Sequence, residues 1–268
     1  MRKIAALFSL YHPDLIQLKN NVQAIANHVD IVILWRNSNE DVETLKNISG
    51  NIVFMGNGEN QFLAFPMNEC LKWCHKNGYD YLLTMDQDSL WNNFENFLNI
   101  VHTSNRQDIA IFAPNVNWKY PKSDKMIETT YVISSGSLIK VNAALEVGGF
   151  NEKYKIYWLD GILCHKICKA GYHIMIVPEC NIDHKFGNIT KTLFGFETPN
   201  YSPEVYYYLI RNMIWSHRQY GVSTVSYKCI GYNLLYNVRG IILGDKNKIK
   251  KLSIVMKALI HGLFLPYE

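Results

Sequence analysis

What this sequence lacks first is a long hydrophobic run: no uninterrupted apolar stretch reaches the roughly 20 residues needed to cross a bilayer. Charge of one sign is also scarce. A net charge of +4 on 268 residues is too small to argue for a nucleic-acid partner, although it suits phosphate-bearing substrates or an anionic membrane. None of the six cysteines pairs at the two-residue spacing of zinc knuckles. Cys70/Cys74 and Cys164/Cys168 are four apart among apolar neighbours, as buried thiols acting as small hydrophobes are. The segment Met1–Ser9 turns polar too quickly for a signal peptide. The chain is therefore expected in the cytoplasm with its thiols reduced. It has no internal repeat, and no acidic loop with the glycine and terminal glutamate of a calcium-binding module.

What is present is the composition of an ordered core: 48% hydrophobic and 19% charged residues. Aromatic residues make up 13%, with 17 Tyr, which suits an open sugar groove or an interfacial surface as well as a core. Ile4 to Leu10 reads as a buried strand. Asp14 reads as a helix cap, followed by Leu15, Leu18, Val22 and Ile25 at helical spacing. Further strands are expected at 29–35, 51–55 and 81–85, and helices at 40–48 and 64–76. Strands alternating with helices predict a mainly parallel sheet flanked by helices. Beyond that lie a strand at 109–114, helices at 141–147 and 159–170, and a strand at 174–177 closing at Pro178. Three helices, 204–220, 226–243 and 250–265, complete the expectation, dividing the chain into an α/β domain at 1–220 and a helical extension at 221–268.

The run Tyr81-Leu82-Leu83-Thr84-Met85 leads directly into Asp86-Gln87-Asp88-Ser89. Carboxylates at i and i+2 on an extended segment point the same way. Acceptor-only oxygens at a strand end suit a hard divalent cation that also holds phosphates. The competing reading is a polar turn in which Asp88 or Ser89 caps the next helix.

Other motifs follow in a fixed order. Phe8-Ser9-Leu10-Tyr11-His12-Pro13 comes first, then Asn57-Gly58-Glu59-Asn60 ahead of a helix bearing Asn68, then the carboxylate pair. Ser135-Gly136-Ser137-Leu138-Ile139, Gly148-Gly149-Phe150-Asn151-Glu152, Trp158-Leu159-Asp160, Gly171-Tyr172, Pro178 and His184 come next. Tyr206-Tyr207-Tyr208-Leu209-Ile210-Arg211-Asn212 ends the series. Over about residues 3 to 220 this order resembles the inverting family 2 glycosyltransferases of the GT-A fold. The likeness is strongest to the rhamnosyltransferase-like branch that builds bacterial surface polysaccharides.

The resemblance implies transfer of a sugar, rhamnose from dTDP-rhamnose as the first expectation, from a nucleotide donor to a glycan or lipid-linked acceptor. It implies Mn²⁺ or Mg²⁺ on Asp88, Asp86 near the ribose and diphosphate, and His184 joining the metal or diphosphate. Tyr11 would stack on the base, with Asn60 on the donor side and Arg211 toward the diphosphate or acceptor, while base recognition, with Arg36 in place of the usual Asp, falls to Asn37, Asn39 or Asp41. Asp160 falls where the family places the base that takes the acceptor proton. Structural roles remain open for several of these residues: a helix cap for Asp160, a strand-end core position for Tyr11, a turn for His184 and an ion pair for Arg211. Two residues depart from the family pattern. Arg36 stands where an Asp usually accepts a hydrogen bond from the base, and Ile162 replaces an acidic residue two after the catalytic Asp. They also admit a catalytically silent sugar-nucleotide or glycan-binding subunit.

The tail combines Lys246, Lys248, Lys250 and Lys251 with a largely apolar stretch broken by Lys257 and His261. It reads either as a helix lying on the inner face of the cytoplasmic membrane or as a helix packed on the catalytic domain or a second copy.

Overall fold

The computed structural model describes residues 2–185, 189–192, 195–221 and 225–266. The chain divides into two compact units, residues 1–153 with 163–184, and residues 154–162 with 185–268. The extension expected from residue 221 shares its unit with the helix 203–220 and with the segment 154–162.

In the first unit β1 (Ile4–Leu10), β2 (Ile31–Arg36), β3 (Ile52–Met55) and β4 (Tyr81–Asp86) are parallel in the order β3-β2-β1-β4. β1 is buried at every position, which a parallel strand covered on both faces requires. The helix α1 (Leu15–Ala26) starts where Asp14 accepts from the Ile16 and Gln17 amides at 2.9 and 3.1 Å. It buries Leu18, Val22 and Ile25. α2 (Ala64–Lys76) buries Met67, Cys70, Leu71 and Cys74 on one face. Burial pushes the Cys74 thiol up to about 12, and all six cysteines are free.

β5 (Leu90–Trp91), α3 (Phe94–Thr103), β6 (Ile109–Val116), β7 (Ile127–Thr129), β8 (Ser137–Lys140), α4 (Val141–Glu146), α5 (Leu159–Lys169) and β9 (His173–Asp183) follow. The sheet continues past β4 through antiparallel β8 to β6, β9 and β5, with β7 paired to β9. Two expectations change, at 40–48 and at 174–177, and one helix is added to them, at 94–103. The helix expected at 40–48 is a 3₁₀ turn over Glu43–Ile48, the segment 94–103 is helical, and β9 runs on past Pro178. The proline is tolerated because it lies in an irregularity: Pro114 pairs with Val177 but Asn115 pairs with Asn181. Pro178 therefore owes no ladder hydrogen bond.

The second unit holds a two-stranded ladder, β10 (Thr190–Lys191) and β11 (Glu197–Thr198). Its helices are α6 (Pro203–Tyr220), α7 (Tyr227–Leu243) and α8 (Lys248–Phe264). Ser202 and Ser226 cap α6 and α7, and Pro203 fixes the first turn of α6. Tyr206, Ile210, Met213, Ile241, Val255 and Ala258 form the core. Inside it the buried Asp245 carboxylate accepts on both oxygens. Thr198 donates to Oδ1 at 2.8 Å, and Tyr206 and Lys251 donate to Oδ2 at 2.9 and 2.7 Å. Lys251 also donates to Asn200 Oδ1 at 2.7 Å. Burial and the Asp245 carboxylate push the Tyr206 phenol well above its usual range, so it remains a donor.

Removing one charge from such a pair strands the other. Asp245→Ala is expected to destabilise this unit by about 3–5 kcal/mol, read from denaturant unfolding of the full chain. A loss below about 1 kcal/mol, the worth of an exposed ion pair, would contradict that role.

Candidate active site

In a parallel sheet, ligands sit beyond the carboxyl ends of strands, where successive connections leave in opposite directions. Here β1 connects toward β2, while the chain after β4 proceeds to the other side of the sheet. The switch point lies between β1 and β4, and Asp86 sits there in register with Ser9.

Asp86, Asp88 and His184 meet at this point: one ligand atom of each lies within 4.8 Å of the others. No helix starts at Asp88, since β5 follows and α3 is preceded by Asn93, which removes the capping reading of this turn. The Asp88 carboxylate is half-buried and has no hydrogen bond or ion pair among the described residues. Two carboxylates held close with one unsatisfied repel each other unless a cation joins them. Two carboxylates and an imidazole fit Mn²⁺, and with water completing the shell they fit Mg²⁺. Burial lowers the His184 pKa against the opposing pull of Asp88. Its imidazole is therefore neutral near pH 7, the form that ligates.

The surrounding side chains hold this geometry. Ser135 Oγ accepts from the Asp86 amide at 3.1 Å and donates to Ser89 Oγ at 2.9 Å. Ser89 Oγ is bonded to His184 Nδ1 at 2.7 Å, and Asp86 Oδ2 lies 3.7 Å from the same nitrogen. The Asn117 side chain brackets the His184 backbone, accepting from its amide at 2.9 Å and donating to its carbonyl at 2.8 Å. From α1, Gln17 donates to the Asp88 carbonyl at 3.0 Å and Asn21 to the Gln87 carbonyl at 2.7 Å. Ser89 and Ser135 stand in motifs that the sequence shows, but it gives no signal for their pairing or for Asn117, Gln17 and Asn21, which are joined to the site only through the fold.

Gln87 reaches back to β1, accepting from the Tyr11 amide at 2.8 Å and donating to its carbonyl at 2.9 Å. The Tyr11 ring is left half-exposed beside His12 rather than in the core. Asn37 is buried, with its amide donating to the Phe62 carbonyl at 2.8 Å and accepting from Gln61 at 3.0 Å. Asn60 accepts from the Phe62 amide at 2.9 Å. Both asparagines thus shape the loop before α2. Arg36 donates to the Gly56 carbonyl at 3.2 Å, and its Nε has no partner among the described residues. Gly56 has a φ of +77°, and a Cβ there would meet the Arg36 carbonyl at 2.6 Å, so only glycine fits against β2.

In the second unit, Asp160 lies in the first turn of α5 and accepts from the Gly161 amide at 2.8 Å. The approach to it is strained: Lys155, Tyr157 and Trp158 all have φ between 59 and 65°, rarely adopted by bulky residues. Asn212 holds this approach in place. Arg211 donates from Nε and a terminal nitrogen to Asn212 Oδ1 at 2.8 and 2.5 Å. That orients the Asn212 amide, which donates to the carbonyls of Tyr154, Ile156 and Tyr157 at 2.8 to 3.0 Å. Trp158 donates to the Leu209 carbonyl at 3.1 Å. The Arg211 guanidinium is buried against the Tyr207, Tyr208 and Trp215 rings. Ile162 is buried as well.

No family model matches the chain. The curated dTDP-rhamnosyl transferase RfbF of Shigella flexneri is 24% identical over 227 residues, 77% of this chain and 76% of that protein. Among solved structures, GalNAc-T7 with UDP, GalNAc and Mn²⁺ superposes with a TM-score of 0.62 at 12% identity. That match covers 81% of this chain but only 48% of GalNAc-T7, so the chain spans about half that protein's length. The mannosyltransferase PcManGT of Pyrobaculum calidifontis, in complex with GDP-Man and Mn²⁺, superposes with a TM-score of 0.60 at 12% identity. It covers 100% of this chain and 77% of that one. The fold is that of the GT-A glycosyltransferases, and the sequence relative supports a glycosyltransferase on it.

Proposed function

We propose that the chain transfers a sugar, with inversion, from a nucleotide donor to a hydroxyl of a glycan or lipid-linked acceptor. The observation that carries this reading is the convergence of Asp86, Asp88 and His184 at the switch point of a GT-A-type sheet. Bound by Asp88 and His184, Mn²⁺ or Mg²⁺ supplies counter-charge for the diphosphate leaving group. Asp86 faces the ribose and diphosphate. Tyr11 offers its exposed ring to the base, flanked by the loop that Asn37 and Asn60 shape, and Arg211 serves the acceptor side through Asn212, which holds the approach to Asp160. Asp160 takes the acceptor proton as the acceptor oxygen bonds to the anomeric carbon and the bond from that carbon to the diphosphate breaks.

The RfbF relative favours rhamnose from dTDP-rhamnose and a bacterial surface polysaccharide precursor as acceptor. Arg36, which donates where the resemblance expects an acceptor, means that the base is read by a different set of bonds. Arg36 and the buried Ile162 also favour a second reading, a catalytically silent subunit that binds a sugar nucleotide or glycan.

Thermal melts of the full chain against a panel of nucleotide sugars test the binding that both readings share. A donor at about 100 times its Kd adds about 2.7 kcal/mol of stability. The stabilisation is expected with Mn²⁺ and not with a chelator. If no nucleotide sugar stabilises the chain with Mn²⁺ present, the transferase and the silent sugar-nucleotide binder both fail, and only a glycan-binding subunit is left.

A further inference from the structure

Helix α8 is apolar on two faces. Toward the core of its own unit it buries Val255, Ala258 and Gly262, and Lys251 reaches Asp245 from the same side. Toward solvent it presents Ile249, Met256, Ile260, Leu263 and Phe264, which are 51 to 88% exposed. At 3.6 residues per turn these five fall within an arc of about 100°. Lys250, Lys257 and His261, all exposed, border that arc on one side. A stripe of this kind on the solvent face of a helix marks a surface that something covers.

The charge around it names the occupant. Residues 225–266 contain seven Lys and Arg and a single acid, Asp245, which is buried and paired with Lys251. This stretch therefore exposes no side-chain carboxylate, whereas the rest of the chain carries more acids than bases. α7 repeats the composition, exposing Tyr232, Leu235 and Ile242 on a helix whose charges are Lys228 and Arg239. A second copy docked face to face about a two-fold axis would set these lysines against one another. No helix among the described residues is long and apolar enough to cross a membrane, and the 17 residues of α8 extend about 25 Å.

We propose that the outer face of α8 lies in the interface of an anionic lipid bilayer. The five apolar side chains enter the acyl boundary, and Lys246, Lys250 and Lys257 reach the lipid phosphates with their stems along the surface. The attachment is reversible and independent of the catalytic reading, although it would bring a transferase to a lipid-linked acceptor.

Flotation of the full chain with phosphatidylcholine vesicles, and with vesicles that also contain phosphatidylglycerol, tests it. Deleting α8 would remove Lys251 and strand Asp245, so point variants are the right probes. The chain is expected to float with the anionic vesicles and to be released by salt. Lys250→Ser with Lys257→Ser should weaken binding roughly 25-fold, about fivefold for each lysine. Ile260→Glu with Phe264→Glu should abolish flotation and leave the circular dichroism and thermal melt unchanged, since both residues face solvent. If that variant misfolds, the lysine variant decides. Three results would overturn the proposal: no flotation of the wild type with anionic vesicles, undiminished flotation of a folded Glu variant, or equal recovery on neutral vesicles. A concentration-dependent dimer in sedimentation, lost in the Glu variant and unaccompanied by flotation, would assign the face to a second copy instead.

Discussion

Asp160→Asn is expected to lower turnover by about two to four decades, the usual worth of a positioned base, while nucleotide-sugar affinity stays near normal. The substitution separates chemistry from architecture. Asp160 Oδ1 accepts from the Gly161 amide at the start of α5, and an asparagine oxygen accepts the same bond. The bond to the Gly161 amide at the start of α5 is therefore retained while basicity is lost. Calorimetric donor binding set beside steady-state turnover reads the two effects independently. If donor binding collapses and the rate at saturation is unchanged, Asp160 is a binding or structural residue.

The second large effect belongs to Asp88. Its carboxylate has no hydrogen bond or ion pair among the described residues and sits close to Asp86. Asp88→Ala therefore breaks no bond and relieves a like-charge contact. The fold should change in stability by no more than about 0.5 kcal/mol, as surface substitutions do. Mn²⁺ affinity, by contrast, should fall by at least about 100-fold, the upper end of what changes to the surrounding partners of a ligand cost. Electron paramagnetic resonance titration of Mn²⁺ reads this directly, and donor binding with Mn²⁺ should fall with it. Undiminished metal-dependent donor binding by folded Asp88→Ala protein would remove Asp88 from the metal site.

How much of this is legible in the sequence varies with the range of the interaction. The bounds of β1 and α2 follow from local pattern alone: a continuous apolar run, and a helical stripe ended by Asn77-Gly78. Helix α3 carries a comparable signal, with Phe94, Phe97, Leu98 and Val101 at helical spacing and buried, but the stronger strands on either side obscure it. Pro178 hides the true length of β9, because a proline inside a strand is allowed only at an irregularity that pairing creates.

The site divides the same way. The Asp86 and Asp88 spacing is local and points to a cation, and His184 is found by its place in the order of motifs. The Ser89–Ser135 pair that supports His184, and the Asn117 bracket around its backbone, join residues 46 to 95 positions apart. No spacing rule reaches that far. Arg211-Asn212 is legible as a pair but not as what it is in the fold, a guanidinium that orients an amide so that the amide can hold the strained loop before Asp160.

The most direct test is release of nucleoside diphosphate from nucleotide sugars by the full chain, measured with Mn²⁺, with a chelator, and with Asp88→Ala. Metal-dependent transfer predicts release from one donor class in Mn²⁺, accelerated by an acceptor glycan, and lost both with the chelator and in the variant. Release that survives chelation and the Asp88 substitution would contradict the metal site. Donor binding without release from any nucleotide sugar, with or without acceptor, would contradict the transferase and leave the silent binding subunit.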